Sequence, residues 1–156
     1  EYGGVLSPFN GWLLLRGLKT LSLRMREHER NAVKIANFLR DNSKIKKVYY
    51  PGFENRDNYE LIEKQMSGYG AIISFELKGE IEETKRFVDS LDLFQLAVSL
   101  GDTESLIEYP FAMTHRDYTE KELKELGLSK KLLRISVGLE TAEDLINDLK
   151  QAFSKI

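Results

Sequence analysis

Residues 132–140 read Leu-Leu-Arg-Ile-Ser-Val-Gly-Leu-Glu, and they carry the clearest structural pattern in the chain. Apolar side chains alternate at Leu133, Ile135 and Val137. A period of two predicts a β-strand with one face in a hydrophobic core. The side chain of Arg134 then points to the opposite face of the sheet.

An arginine on a strand has two interpretations. The guanidinium is planar, always charged and suited to two-pronged recognition of a carboxylate, and a strand holds it rigidly. Most strand arginines, however, only form a surface ion pair. From the residues alone, Arg134 is either a carboxylate-binding group or a partner in such a pair.

Length and composition are those of an ordinary globular domain. The chain has 156 residues, enough for one domain with its own core. Its 42% hydrophobic and 31% charged residues argue against disorder. The net charge of -2 comes from interspersed signs, so neither a nucleic-acid partner nor a membrane partner is indicated.

Several kinds of site are excluded or disfavoured. The chain has no cysteine, which excludes disulfides, thiolate zinc sites and a cysteine nucleophile. Its two histidines, His28 and His115, are far apart in sequence, so no metal site is expected. No apolar run is long enough for a bilayer and no signal peptide is visible, so the cytoplasm is the expected location.

The N-terminal part predicts one long helix. Ser7 fits the N-cap and Pro8 the first helical position. Helical spacing of apolar residues continues to about Arg40, which gives a helix of about 50 Å. Residues 12–15, Trp-Leu-Leu-Leu, make it apolar on all sides, so we expect a second domain or subunit to bury it.

The rest of the chain predicts short strands alternating with helices. The predicted strands before residue 132 are 47–50, 71–77 and 93–99. The predicted helices are 57–66, 81–91, a short one between Thr119 and Gly127 with a capping box, and a last one capped by Thr141. Residues 99–118 lack regular patterning, as functional loops often do. The pattern alone leaves parallel pairing of the strands open.

Several segments in order resemble the Cys/Met-metabolism enzymes that use pyridoxal phosphate, the relatives of cystathionine gamma-synthase, cystathionine gamma-lyase and methionine gamma-lyase. Residues 132–140 resemble the C-terminal signature of this family. The other matching segments are Gly-Gly-Val-Leu-Ser-Pro-Phe-Asn from residue 3, Met-Ser-Gly at 66–68, Val-Ser-Leu-Gly-Asp at 98–102 and Met-Thr-His at 113–115.

The resemblance implies an α+β fold with a small, mostly antiparallel sheet and helices on one face. This is the C-terminal domain of the aspartate-aminotransferase-like fold type I, preceded by a long interdomain helix. Residues 1–40 would then be the end of the large domain and that helix, and residues 41–156 the substrate-clamping domain.

The resemblance also implies substrate contacts at four positions. Arg134 would bind the α-carboxylate. Ser99 would lie beside the cofactor and the same carboxylate, with the amide of Leu100 nearby, and Thr114 would approach the carboxylate end. Without the resemblance, Ser99 would be interpreted as a strand-end cap and Thr114 as a turn hydroxyl. His115 is interpreted as a surface or structural histidine.

The family's cofactor-binding residues have no counterpart in this sequence. Its Schiff-base lysine lies in a Ser-x-Thr-Lys motif, which does not occur here. We therefore predict no catalytic, cofactor-binding or metal-binding residue in this chain. It is interpreted as the C-terminal part of a larger enzyme whose large domain binds pyridoxal 5'-phosphate, and which forms a tetramer as a dimer of dimers.

The expected reaction is the γ-elimination of methionine to 2-oxobutyrate, ammonia and a thiol. Cystathionine enzymes often have Glu-Ser-Leu-Gly-Gly where this chain has residues 98–102, and the apolar Val98 favours a simple thioether substrate. The alternatives are a cystathionine gamma-synthase or gamma-lyase, an O-acylhomoserine sulfhydrylase, and a non-catalytic assembly fragment.

Overall fold

The structure, a computed structural model, describes residues 4–53 and 58–156. The start of the predicted segment 1–40 and Asp57 of the predicted helix 57–66 lie outside these ranges. In chain order the elements are α1 (Pro8–Leu18), α2 (Leu21–Arg40), β1 (Ile45–Tyr49), α3 (Tyr59–Gln65), β2 (Ile72–Leu77), α4 (Ile81–Asp89), β3 (Gln95–Leu96), β4 (Leu106–Glu108), α5 (Glu120–Glu125), β5 (Leu132–Ser136) and α6 (Ala142–Phe153).

The five strands form one sheet in the order β1-β2-β5-β4-β3. The pairs β1–β2, β2–β5 and β4–β5 are antiparallel, and only β3–β4 is parallel. The prediction of a mostly antiparallel sheet in an α+β fold is therefore confirmed. The strand that contains Arg134 lies at the centre of this sheet.

Helices α2, α4 and α6 cover one face of the sheet. The alternation predicted for β5 holds, because Leu133 and Ile135 are fully buried and Val137 is 1% exposed. They join one core with apolar residues of all three helices, including Ile35 and Leu149. The apolar residues of the alternation face the helices, and the polar residues face the opposite side of the sheet.

The prediction of one unbroken N-terminal helix is wrong, because α1 ends at Leu18 and α2 begins at Leu21. The break follows Gly17, a residue that weakens a helix interior. The Gly17 carbonyl accepts a hydrogen bond from Arg24 Nη2 at 2.9 Å. Arg24 Nε also donates to the Thr20 hydroxyl. The Arg24 side chain therefore binds the Gly17 carbonyl, which the backbone N–H of residue 21 would bind in a continuous helix.

The predicted strand 93–99 is shortened to the two residues of β3. Its first residues are held by the buried carboxylate of Asp148 on α6, which accepts the backbone N–H groups of Asp92, Leu93 and Phe94. These N–H groups are consequently unavailable to a neighbouring strand. The strand interactions begin only at Gln95, whose N–H donates to the Ser105 carbonyl.

Strand β4 lies inside the segment 99–118, where the sequence predicted no regular structure. It has only three residues, too few to show a period. It pairs with β5 on one side and β3 on the other, and all three of its residues are buried. The missed strand matters for the site because it carries Glu108.

No helix among residues 4–53 and 58–156 is long and apolar enough to cross a membrane. Two of the predicted caps, at Ser7 and Thr119, are formed by side chains, whereas Thr141 lies at the N-cap of α6 and its side chain makes no capping hydrogen bond. The Ser7 hydroxyl accepts the N–H of Asn10. Thr119 and Glu122 form their reciprocal capping box.

Candidate carboxylate-binding site

Three polar side chains form a row across the face of the sheet that the core helices leave open. Ser74 on β2 is the register partner of Arg134 on β5, and Arg134 is the partner of Glu108 on β4. Since residues paired across strands share a face, Glu108 lies on the same side of the sheet as Arg134. The backbone register itself therefore brings a carboxylate to the arginine.

Arg134 is held through one nitrogen of its guanidinium. Nη2 lies 2.8 Å from Glu108 Oε2, and it donates to the carbonyls of Val98 and Ser99 at 3.2 and 3.3 Å. Nε and Nη1 make no hydrogen bond within the described part of the chain. The Arg134 side chain is 25% exposed, so a ligand can reach it. The guanidinium is therefore positioned from one end, and its other donors are available.

Glu108 is the residue of this site that sequence reasoning missed. Its side chain is only 3% exposed. Oε1 accepts a hydrogen bond from the Thr114 hydroxyl at 2.5 Å, while Oε2 pairs with Arg134. The apolar run before it, Leu106-Ile107, is shorter than the roughly four to eight residues that indicate a buried strand, so the local sequence carries no clear signal for it.

The structure brings Arg134 and Thr114 together through Glu108, and it brings Ser99 to Arg134 through the Ser99 carbonyl. The Ser99 side chain is exposed, and its hydroxyl makes no hydrogen bond to any residue that the structure describes. Leu100 beside it is 56% exposed. All four predicted substrate contacts thus lie around one carboxylate–guanidinium pair.

The loop over the guanidinium is fixed to β5 at its turn. The N–H of Gly101 donates to the Ser136 hydroxyl at 2.9 Å. Gly101 has a φ of +81°, a conformation that other residues adopt only with strain. This turn places the carbonyls of Val98 and Ser99 where Arg134 can bind them.

The residues that follow β5 are also held by hydrogen bonds, here to Ser105. The Glu140 carboxylate accepts the backbone N–H and the hydroxyl of Ser105 at 2.6 and 2.8 Å. The Ser105 hydroxyl in turn accepts the N–H of Gly138. From α2, Asn31 donates to the carbonyls of Gly138 and Glu140. Glu140 therefore serves the structure of the loop, away from the guanidinium.

The two histidines have different surroundings. His28 is buried on α2, and its Nδ1 donates to the Val137 carbonyl at 2.7 Å, which is a structural role. His115 Nδ1 lies 2.9 Å from the Thr114 hydroxyl. Since the Thr114 proton points to Glu108, Nδ1 of His115 is the donor in this contact. His115 thus extends the Glu108 network outward.

A second buried carboxylate, Glu76, lies on the same face but toward β1. It accepts hydrogen bonds from Tyr49 at 2.6 Å and from Lys46 at 3.1 Å. Burial raises the pKa of Glu76, but the hydrogen bonds from Tyr49 and Lys46 and the charge of Lys46 outweigh it and lower the pKa overall. Glu76 is therefore a satisfied structural carboxylate on the side of Arg134 away from Glu108.

No group of three or more metal-ligating side chains occurs in the ranges 4–53 and 58–156. Arg134 already has a carboxylate partner, Glu108. Its free N–H donors match the planar geometry of a further carboxylate. The arrangement can therefore bind and orient a small carboxylate-bearing molecule.

This chain is similar to a family of known enzymes. A sequence profile of the Cys/Met metabolism PLP-dependent enzymes matches residues 1–154. An L-methionine gamma-lyase of Fusobacterium nucleatum is 50% identical over 154 residues, which are 99% of this chain and 39% of the lyase. The chain thus spans about two fifths of the length of that relative.

Among the solved structures that resemble this chain, two are similar to it in both fold and sequence. The crystal structure of cystathionine gamma-lyase from Lactobacillus plantarum, complexed with L-serine, superposes with a TM-score of 0.92 at 42% identity, covering 99% of this chain and 40% of that one. Cystathionine gamma synthase from Xanthomonas oryzae pv. oryzae, in complex with cystathionine, gives 0.89 at 44% identity, covering 96% and 38%.

Proposed function

Because the chain belongs to the Cys/Met metabolism PLP-dependent enzyme family, we propose that it is the substrate-binding part of a carbon–sulfur lyase acting on methionine. The complete enzyme would convert methionine and water to 2-oxobutyrate, ammonia and methanethiol. Residues 41–156 would form the substrate-clamping domain, and residues 1–40 would connect it to a large domain.

The observation that supports the proposal is that the guanidinium of Arg134 is hydrogen-bonded to described residues through only one of its three nitrogens. One nitrogen is fixed by Glu108 and two carbonyls, while Nε and Nη1 have no hydrogen bond to a described residue. A substrate α-carboxylate would accept these free donors. Ser99 and the amide of Leu100, beside the guanidinium, would contact the same end of the substrate, and Thr114 would support it through Glu108.

The preference for methionine rests on the side chains next to the clamp. Val98 and Leu100 are 55% and 56% exposed. The carbonyl of Val98 binds Arg134, so the loop that carries these two residues borders the clamp. An apolar surface favours a thioether over the charged distal end of cystathionine, because an unpaired charge there would lose water without a compensating partner.

The residues around Arg134 are better suited to bind the substrate than the cofactor. The sequence has no Ser-x-Thr-Lys motif, and the guanidinium of Arg134 is paired with Glu108. Pyridoxal phosphate, when bound, supplies the electron sink for the α-carbon, while protein residues supply binding and orientation. We propose that the large domain of the complete enzyme holds the cofactor, and that this chain holds the substrate's carboxylate.

The test is steady-state turnover by the complete enzyme with methionine, cystathionine and O-acetylhomoserine as separate substrates. We expect release of 2-oxobutyrate from methionine with the highest kcat/KM of the three. The chain of 156 residues alone, with added cofactor, should release none above the rate of free cofactor. The matched control is the complete enzyme at the same cofactor concentration.

Two results would contradict this assignment. Turnover by the 156-residue chain alone would mean that the catalytic machinery lies within it. A kcat/KM for cystathionine far above that for methionine would favour the cystathionine gamma-lyase activity that is printed for a solved relative at 42% identity.

Helix α1 carries the surface that we propose for the contact with the large domain or with another subunit of a homo-oligomer. None of its residues is buried. Trp12 is 56% exposed and Leu15 is 65% exposed. Apolar patches of this kind mark interaction surfaces. Two open grooves along it, of about 540 and 550 Å³, are lined mainly by leucines and Trp12.

We expect the chain expressed alone to self-associate in light scattering, because the apolar side chains of α1 are then exposed to solvent. Replacing Leu14 and Leu15 with lysine should reduce this association. The matched control is Leu126→Lys, which changes an equally exposed leucine outside α1. A monodisperse monomer without any substitution would count against the proposed contact.

A further inference from the structure

We propose that Glu108 is a positioning residue of the carboxylate clamp: its buried carboxylate joins Thr114 to Arg134 and orients the guanidinium for the substrate. This inference rests on the proposed function in one respect, namely that Arg134 binds an amino-acid carboxylate. Neither the sequence pattern nor the resemblance assigned any role to Glu108.

The two oxygens of Glu108 have separate partners. Oε2 lies 2.8 Å from Arg134 Nη2, and Oε1 lies 2.5 Å from the Thr114 hydroxyl. The Glu108 side chain is 3% exposed, so its oxygens are shielded from water. Shielded, charge-assisted hydrogen bonds are strong and directional. Glu108 therefore restricts the guanidinium to one orientation, with Nη2 toward the sheet.

The position of Glu108 is itself rigid. It lies on β4, and its backbone register with Arg134 is set by the pairing of β4 with β5. Ile107 beside it is fully buried in the core. A carboxylate on such a support can hold a longer and more flexible arginine side chain in place, whereas a loop residue could not do so as well.

Glu108 also decides the direction of the Thr114 hydroxyl. A carboxylate can only accept, so the single hydroxyl proton of Thr114 points to Glu108. The Thr114 oxygen then accepts from His115 Nδ1. With its proton committed, Thr114 cannot donate to a substrate carboxylate. Its contribution to binding is to fix Glu108, and through Glu108 the clamp.

The charge of Glu108 determines which interactions of Arg134 can bind a substrate carboxylate. It neutralises the guanidinium before any ligand arrives, so net positive charge contributes little to the attraction of a carboxylate. Binding then depends on the directed N–H donors at Nε and Nη1. Loss of orientation should consequently weaken binding of carboxylate-bearing ligands, and it should not affect ligands that lack the carboxylate.

The experiment is a titration of the complete holoenzyme, followed by the absorbance change of its cofactor. The probes are L-norleucine, an isostere of methionine that cannot lose a thiol, and n-pentylamine, which is norleucine without its carboxylate. We expect Glu108→Gln to weaken norleucine binding about tenfold, the effect of one lost hydrogen bond to a charged group. Pentylamine binding should be unchanged.

Three further variants separate positioning from folding. Glu76→Gln removes another buried carboxylate from the same face of the sheet, and norleucine binding should stay at the wild-type level. In an Arg134→Lys background, Glu108→Gln should cause no further loss, since its effect acts through the guanidinium. Thr114→Val should weaken norleucine binding in the same direction as Glu108→Gln.

The inference is overturned if Glu108→Gln weakens norleucine and pentylamine equally, or weakens norleucine equally with and without Arg134. Equal affinity of the wild-type holoenzyme for both probes would also overturn it, because there would be no clamp to position. Failure of the proposed function has a different signature. In that case no sulfur amino acid yields a 2-oxo acid, while norleucine still binds and Glu108→Gln still weakens it.

Discussion

Replacing Arg134 with lysine in the complete enzyme should raise the KM for methionine about ten- to hundredfold. This is the range for one lost hydrogen bond to a charged group. Turnover should fall as well, because the substrate would be misplaced relative to the cofactor. The melting temperature should change little, since lysine can keep an ion pair with Glu108. The measurement is steady-state kinetics beside a thermal melt.

The structure explains why a retained charge does not rescue binding. Glu108 is buried and lies 2.8 Å from Nη2, so it would pair with the lysine ammonium as well. An ammonium is a point charge and has no second edge with which to hold a substrate carboxylate. Arg134→Ala is a poorer test, because it leaves the Glu108 charge buried and unpaired and so destabilises the fold.

The matched control for Arg134→Lys is Lys46→Arg, which changes the cation that pairs with the other buried carboxylate, Glu76. It should leave the kinetic constants at wild-type values. If Arg134→Lys instead lowers the melting temperature sharply and leaves KM and kcat near wild type, Arg134 is a structural ion-pair residue. The alternative interpretation of a strand arginine would then be correct.

Replacing Gly138 with alanine should destabilise the protein by about 3 kcal/mol, the upper end of the range for overpacking. A Cβ atom there would lie 2.5 Å from the Thr103 carbonyl oxygen and 2.6 Å from the Ser105 nitrogen. Both contacts are backbone atoms, and both belong to the loop that is anchored on Glu140. The loop must shift, so norleucine binding should weaken together with the fold.

Gly17→Ala is the control for this prediction. A Cβ atom at Gly17 would meet nothing within 4 Å, and alanine favours a helix over glycine. Its melting temperature should equal or exceed that of the wild type, while that of Gly138→Ala should be clearly lower in the same assay. A Gly138→Ala enzyme with unchanged stability and binding would contradict this prediction, because the Thr103–Ser105 backbone could then shift without a loss of stability.

The strand around Arg134 was predictable because its signal is local. Alternation at Leu133 and Ile135 requires only that one face be buried, and both are fully buried. The capping box at Thr119 and the cap at Ser7 were also predictable, because a cap involves residues three positions apart. The prediction of an unbroken N-terminal helix was wrong because the apolar period continues through residues 19–20, where the backbone breaks and Arg24 binds the Gly17 carbonyl.

Strand β4 and Glu108 were not predictable in the same way. Three residues show no period, and what makes them a strand is pairing on both sides with residues far away in sequence. Likewise Asp148 shortens β3 from a position more than fifty residues along the chain. Long-range partners of this kind satisfy backbone groups that a local pattern would assign elsewhere.

Alternation in residues 132–140 was enough to predict the buried face of the central strand and the opposite face to which Arg134 points, and the motifs that carry the family resemblance implied the α+β class and the family. These follow from side-chain periodicity and from segments of fixed residue type. Only the tertiary structure decided that Glu108 pairs with Arg134 and binds Thr114, because this contact depends on the register between β4 and β5. Register is set by the pairing of whole strands, so a buried carboxylate and a carboxylate-binding arginine become neighbours only once the sheet has formed.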